Sequence, residues 1–369
     1  MSTTTRRFTR VTATVGAFAA AVALSACGST ADEAGDDSRT LSFGYHTGEK
    51  TPIGQVWAWW MEEVTDRTDG AITFETYWDG TLVKGPDIIE SLNDGRVDVS
   101  QVMPTLYTTK FPVASVHELP FQSSNSPAVA VAMAELAAED GPIRAEFEAE
   151  NLVPMAWAIG GSSALGTADP VETVDDLKGV QIRGNDRSSK VMGAAGANII
   201  NMQLADVYGS LDRGLLDGVY GIPFGFIGPL KYAEVVKNFT DTGMGVASAN
   251  PLSMSTDTWE SLTDEQRKVI EGVNAEVPGK IAEFDAEYDK LSCAAVTEAG
   301  AKLNVLDASE VDKLKAKGFD SVYAEWKAAA SDTGADADAV LADYQAAVAA
   351  AEGDFPDYKT GVASCLAEQ

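Results

Sequence analysis

Between residues 41 and 249, short strand-like runs alternate with helix-length segments, and this rhythm restricts the fold more than any other feature of the chain. Residues 41–45 read as a strand. Residues 54–66 read as a helix with Val56, Trp57, Trp60 and Val64 at near-helical spacing, which leaves Trp59 facing away. Residues 71–77 alternate Ile72, Phe74 and Thr76 as a strand does. A short helix at 87–93 and a strand at 98–103 follow, with further strands expected at 156–159, 180–182, 215–220 and 245–249. Strand and helix in alternation specify the α/β class. From Trp259 onward the pattern turns helical, apart from a strand expected at 303–306. Residues 263–299 hold one long bent helix or two, broken only by Pro278 and Gly279, and 335–351 is helical by its alanine content.

The N-terminus reads as an export signal covering residues 1–26. Arg6, Arg7 and Arg10 precede an apolar run at 11–24. A membrane-spanning helix needs about 20 apolar residues, and this run ends at Cys27. Leu24-Ser25-Ala26-Cys27 resembles the bacterial lipobox, in which the cysteine is acylated and becomes the new N-terminus; an ordinary cleavage site with an incidental cysteine is the alternative. Residues 27–39 then form a polar tether, which suits a lipid-anchored, extracytoplasmic protein. Cys293 and Cys365 remain as an even pair in an exported chain and are expected to form a disulfide, two free buried thiols being the alternative. That bond would close a loop of about 70 residues and contribute about 4 kcal/mol.

Charge and motifs exclude several function classes. With 56 acidic against 27 basic side chains the net charge is -29, which argues against a nucleic-acid partner, since phosphate backbones are held by clustered Lys and Arg. There is no GxSxG elbow, HExxH, P-loop or GxGxxG after a strand. His46 and His117 lack an adjacent Ser or Cys nucleophile, and Gly160-Gly161-Ser162-Ser163 reads as a turn. Asp332, Asp336 and Asp338 lack the EF-hand spacing, and no Cys/His cluster exists for zinc. No cofactor, metal or catalytic set is called for, and a non-enzyme is expected.

Several segments resemble, in order, the solute-binding proteins of tripartite ATP-independent periplasmic (TRAP) transporters. They are Phe43-Gly44-Tyr45-His46; the run from Glu62 to Gly70; Glu118-Leu119-Pro120-Phe121; the run Asp176-Leu177-Lys178-Gly179-Val180-Gln181-Ile182-Arg183; and the run from Asp206-Val207-Tyr208 to Asp217-Gly218. The last two are the most specific. The resemblance implies a two-lobed, periplasmic-binding-protein-like fold with hinged lobes and a helical C-terminal region. Lobe I would take residues 40–159 with 250–285, and lobe II residues 160–249 with 286–369. It further implies a small organic acid ligand in the interlobe cleft, TRAP membrane permease subunits as partners, and Arg183 as the residue that takes the ligand carboxylate.

Three departures from the family pattern bear on the ligand. The strand-turn where many relatives carry a second arginine is the uncharged stretch 160–163; Val219-Tyr220-Gly221-Ile222-Pro223-Phe224 stands where many have Asn; and Asp206 replaces a Glu. A monocarboxylate with an apolar or aromatic body therefore fits better than a dicarboxylate. Tyr220, Phe224 and Trp59 are the candidate walls, Glu49 is a candidate for a ligand cation, and Arg183 is expected to stand hydrated in an open cleft. A receptor serving an ATP-driven (ABC) importer is the alternative reading.

Overall fold

Strand β1 (Arg39–Gly44) pairs in parallel with β2 (Ile72–Tyr77), Leu41 opposite Phe74, and with β3 (Val99–Gln101), Phe43 opposite Val99. Parallel neighbours need a crossover, and the helix Pro52–Arg67 makes the first one. Its start is encoded locally: the Thr51 side chain accepts the Gly54 N–H at 3.1 Å, and Pro52 sits in the first turn, where no N–H is required. Trp57 and Trp60 are fully buried, and Trp60 Nε1 donates to Asn274 Oδ1 at 2.8 Å. The computed structural model describes residues 38–138, 141–246 and 249–367; the expected export signal, the lipidation candidate Cys27 and most of the tether lie outside them.

β4 (Leu152–Ala158) ends the first run, and the chain crosses through residues 159–163 into a second sheet. That sheet takes β5 (Ala164–Thr167), β6 (Gln181–Arg183), β7 (Asn198–Ile200), β8 (Gly218–Val219) and β9 (Asn238–Asp241). The chain then returns to β10 (Asn250–Ser255), antiparallel between β3 and β4, and β11 (Lys302–Val305) closes the second sheet beside β9. The strand orders are β2-β1-β3-β10-β4 and β11-β9-β5-β8-β6-β7. This is a mixed α/β architecture of two sheets with a helical C-terminal region.

The structure corrects one local expectation and resolves another. The strand expected at 245–249 begins at Asn250 instead, because Gly243 and Gly245 hold φ of 69° and 82°, outside the strand range. Residues 263–299 resolve into two helices, Asp264–Asn274 and Val277–Glu298, with Pro278 in the first turn of the second. The C-terminal helices pack beside both sheets. The helix Ala308–Ser331 packs on Arg187–Ala194 of the second sheet, whereas Ala337–Glu352 packs on Ser126–Leu136 of the first. Cys293 and Cys365 form a disulfide, Cα–Cα 5.6 Å, which joins the terminal helix Val362–Ala367 to the helix Val277–Glu298. No helix of the described residues is long and apolar enough to cross a membrane.

Candidate functional site

Arg183 is the last residue of β6, at the carboxyl end of a strand, where open α/β sheets place their ligands. Ile182 before it is buried in the sheet, and the Arg183 carbonyl accepts the Tyr220 N–H at 2.9 Å, which ties the end of β6 to the segment after β8. Contrary to the expectation of a hydrated side chain, Arg183 is only 5% exposed. Its Nε donates to the Met202 carbonyl at 3.1 Å and its Nη1 to the Tyr220 carbonyl at 3.4 Å. Burial lowers its pKa, and the charge of Asp186 works the other way. Tyr232, also buried, faces the same guanidinium; burial pushes its hydroxyl up to about 12.

Three residues further on, Asp186 caps the helix Arg187–Ala194. Its Oδ1 accepts the Ser189 N–H at 2.7 Å and the Ser189 hydroxyl. Its Oδ2 is buried without a hydrogen-bond partner and lies over Gly221. A Cβ on Gly221 would sit 2.6 Å from this oxygen and 3.9 Å from Arg183 Nη1, and φ of 78° there also favours glycine. Gly221 thus forms the floor of a close-packed cradle, without room for a Cβ, where an acid and a base come together.

The opposite wall comes from the turn Ala114–Glu118, packed against β4 through the edge-on rings of His117 and Trp157, 6.3 Å apart. Glu118 Oε2 meets Arg187 Nε at 3.4 Å, and Arg187 Nη2 donates to Ser115 Oγ at 3.0 Å. Burial raises the Glu118 carboxyl to about 7 against the pull of Arg187. His117 Nδ1 accepts the Ala249 N–H at 3.0 Å, and burial, with Arg187 beside it, holds the ring down at about 3. His46, at the end of β1, is held down at about 4 by burial. Both rings are neutral at pH 7. Buried polar atoms are normally paired, yet His117 Nε2, Glu118 Oε1, Asp186 Oδ2 and the Trp157 Nε1 have no partner. Unpaired donors and acceptors of this kind suit the recognition of a polar molecule better than they suit stability.

The crossover strand has its own cover. A Cβ on Gly161 would fall 2.0 Å from Thr360 Oγ1, so the C-terminal segment occupies the space beside 160–163. That segment is held by two buried carboxyls of the helix Val277–Glu298. Tyr358 donates its hydroxyl to Asp285 Oδ2 at 2.6 Å, and Asp289 Oδ2 accepts the Gly361 N–H at 2.6 Å and the Thr360 hydroxyl at 3.1 Å. Burial raises Asp285 to about 8 and Asp289 to about 6.

Of the candidate ligand residues, the structure brings together Arg183 and Tyr220. Phe224 is directed to the interior instead, its ring edge-on to Phe239 at 6.2 Å. Trp59 lies half-buried beneath the Lys280 ammonium, 5.4 Å from the ring centre. Glu49 is exposed in a groove with Glu62, Asp66 and Trp78. Asp186, Tyr232 and the Glu118–Arg187 pair were not singled out from sequence, because a cap, an aromatic and a surface-type ion pair carry no motif. Among the described residues no cluster of His, Cys, Asp and Glu could hold a metal ion.

The sequence model of the bacterial extracellular solute-binding proteins, family 7, matches residues 43–329. A solute-binding protein of Chromohalobacter salexigens is 25% identical over 271 residues, covering 72% of this chain and 78% of that one. The fold is similar to that of a TRAP periplasmic solute-binding protein from Desulfovibrio salexigens (TM-score 0.75, 25% identity, 84% of this chain and 95% of that chain). It is also similar to that of a TRAP solute-binding protein from Rhodoferax ferrireducens in complex with copurified benzoate (TM-score 0.78, 23% identity, 86% and 100%).

Proposed function

Since the chain belongs to family 7 of the bacterial extracellular solute-binding proteins, we propose that it is the extracytoplasmic receptor of a TRAP transporter for a small organic acid with one carboxylate and an apolar or aromatic body. Its two sheets are the cores of two hinged lobes that enclose the ligand and present it to the membrane permease subunits. The observation that carries this reading is Arg183, a buried guanidinium at a strand's carboxyl end whose hydrogen bonds go to two carbonyl oxygens. A carboxylate is the partner that matches its fork. Benzoate, held by the Rhodoferax relative, has the size and character expected of the ligand. The protein acts by enclosure, with no bond made or broken. Cys27 carries the lipid that holds it to the membrane.

A thermal-shift screen against organic acids tests the proposal, because a ligand that binds only the folded state raises its stability. An acid that raises the midpoint should lose that effect in Arg183→Ala. No response to any acid, or an undiminished response in the variant, would exclude the carboxylate receptor. Detergent partitioning tests the anchor: wild type should enter the detergent phase and Cys27→Ser should not.

A further inference from the structure

We propose that the acid recognised here is a zwitterion, its carboxylate held by Arg183 and its ammonium group by Asp186. This rests on the assignment of Arg183 as the carboxylate anchor and adds the second charge of the ligand. The observation is geometric: Asp186 Oδ2 is buried, has no partner, and shares with Arg183 Nη1 the cradle over Gly221, both atoms within 4 Å of the point a Cβ there would take. The residue is 9% exposed, and its other oxygen is already engaged with Ser189. One carboxylate oxygen therefore serves the fold and the other is free to accept.

Charge balance points the same way. Arg183 has the opposite charge of Asp186 beside it and Arg187 meets Glu118 at 3.4 Å, with burial raising both acids against the pull of these cations. Beyond them, Glu325 accepts from Lys190 at the edge. Tyr220 and Tyr232 contribute neutral hydroxyls, and His117 is neutral at pH 7. A simple monocarboxylate would leave an uncompensated negative charge in a site closed to water, which is costly in a low-dielectric surrounding. An ammonium on the same ligand cancels it and gives Asp186 Oδ2 its missing hydrogen bond. A carboxylate and an ammonium on neighbouring or nearby carbons match two anchors this close together. The class is that of amino acids and related aminocarboxylates with an apolar or aromatic body.

The test is calorimetry and thermal shift with matched pairs of acids that differ only in the amino group. L-phenylalanine against 3-phenylpropanoate, L-leucine against 4-methylpentanoate, and 3-(aminomethyl)benzoate against 3-methylbenzoate are suitable. The ammonium-bearing member should bind roughly 30-fold or more tightly, the penalty for leaving one partner of a buried charge pair alone. Asp186→Asn keeps the capping oxygen and replaces the free one with a donor, so it should erase or reverse that preference, with a cooperative unfolding transition showing that the variant still folds. Asp186→Ser, which also caps, serves as the second variant. The idea is overturned if the deaminated members bind as well or better, if no ammonium-bearing acid binds, or if Asp186→Asn leaves the preference intact. Arg183→Ala separates the two assignments. A preference that survives in wild type, with Arg183→Ala binding unchanged, would remove the carboxylate anchor and leave Asp186 in place.

Discussion

Glu118 and Arg187 meet across the two sheets, Oε2 to Nε at 3.4 Å, each buried, one on a turn packed against β4 and the other on the helix after β6. An ion pair that joins two sheets inside the protein holds them together only while both partners are present. Removing the cation from a buried pair strands the anion and typically costs about 3–5 kcal/mol. Arg187→Leu should therefore lower the unfolding midpoint clearly. Glu118→Gln should lower it less, because burial already holds this carboxyl near half-protonation at neutral pH. Thermal unfolding of both singles and the double variant measures the coupling, and a coupling energy of zero would show that the two side chains are only neighbours.

Arg183→Ala is expected to weaken binding of the best acid by roughly 30-fold to several thousandfold, which is about 2–5 kcal/mol for a buried charge pair at about 1.4 kcal/mol per tenfold. Arg183→Lys should also weaken it, since an ammonium keeps the charge and loses the fork. The empty protein is affected too: at 5% exposure Arg183 fills space and ties β6 to Met202 and Tyr220, so its removal should lower the unfolding midpoint. Calorimetry and unfolding of the three proteins decide it. Affinity unchanged within about threefold would take Arg183 out of the site.

Acidification from pH 8 to 6.5 is expected to stabilise the protein. Asp285 and Asp289 titrate near about 8 and about 6 when folded, against 3.8 in the unfolded chain. Between those values the folded state binds more protons, so the pair's contribution falls as pH rises. Glu118 and Glu146, both raised to about 7 by burial, act in the same direction. His46 and His117 oppose it, weakly above pH 6.5 and more strongly below, as the unfolded chain takes up protons that the buried rings refuse. Scanning calorimetry across this range should show the trend, and Asp285→Asn should flatten it. A wild-type midpoint that climbs from pH 6.5 to 8 would contradict the assignment.

The disulfide spans 72 residues of sequence, and its removal in Cys293→Ser with Cys365→Ser should lower stability by about 4 kcal/mol or less in the chain-entropy account. Non-reducing peptide mapping should recover one cross-linked pair. Alkylation of both thiols in the native protein would count against the bond.

How far the sequence could be read depended on whether a feature is local. The alternation of strand and helix made the α/β class legible, and the caps at Thr51 and Thr263 lie where helix starts are encoded within four residues. Arg183 was reached through a contiguous motif. Strands β5, β7 and β9 were missed because three or four residues are too few for a period to register. Asp186 was invisible because its capping role is local and its free oxygen is not: the cradle needs Gly221, 35 residues downstream, folded beside it. Phe224 and Trp59 could be read only as candidate walls, since an aromatic side chain is equally at home in a core or a binding wall. Phe239 and Lys280, their neighbours in the fold, are distant in sequence.

The covering of Gly161 by Thr360 sets an order of events during biogenesis. The crossover strand emerges from the export machinery about 200 residues ahead of the segment that shields it, and Asp285 and Asp289 wait uncapped until Tyr358 and Gly361 arrive. The crossing between the sheets is thus covered only when nearly the whole polypeptide has been delivered. A chain interrupted before residue 358 would carry both sheets and still lack the segment that packs on their connection.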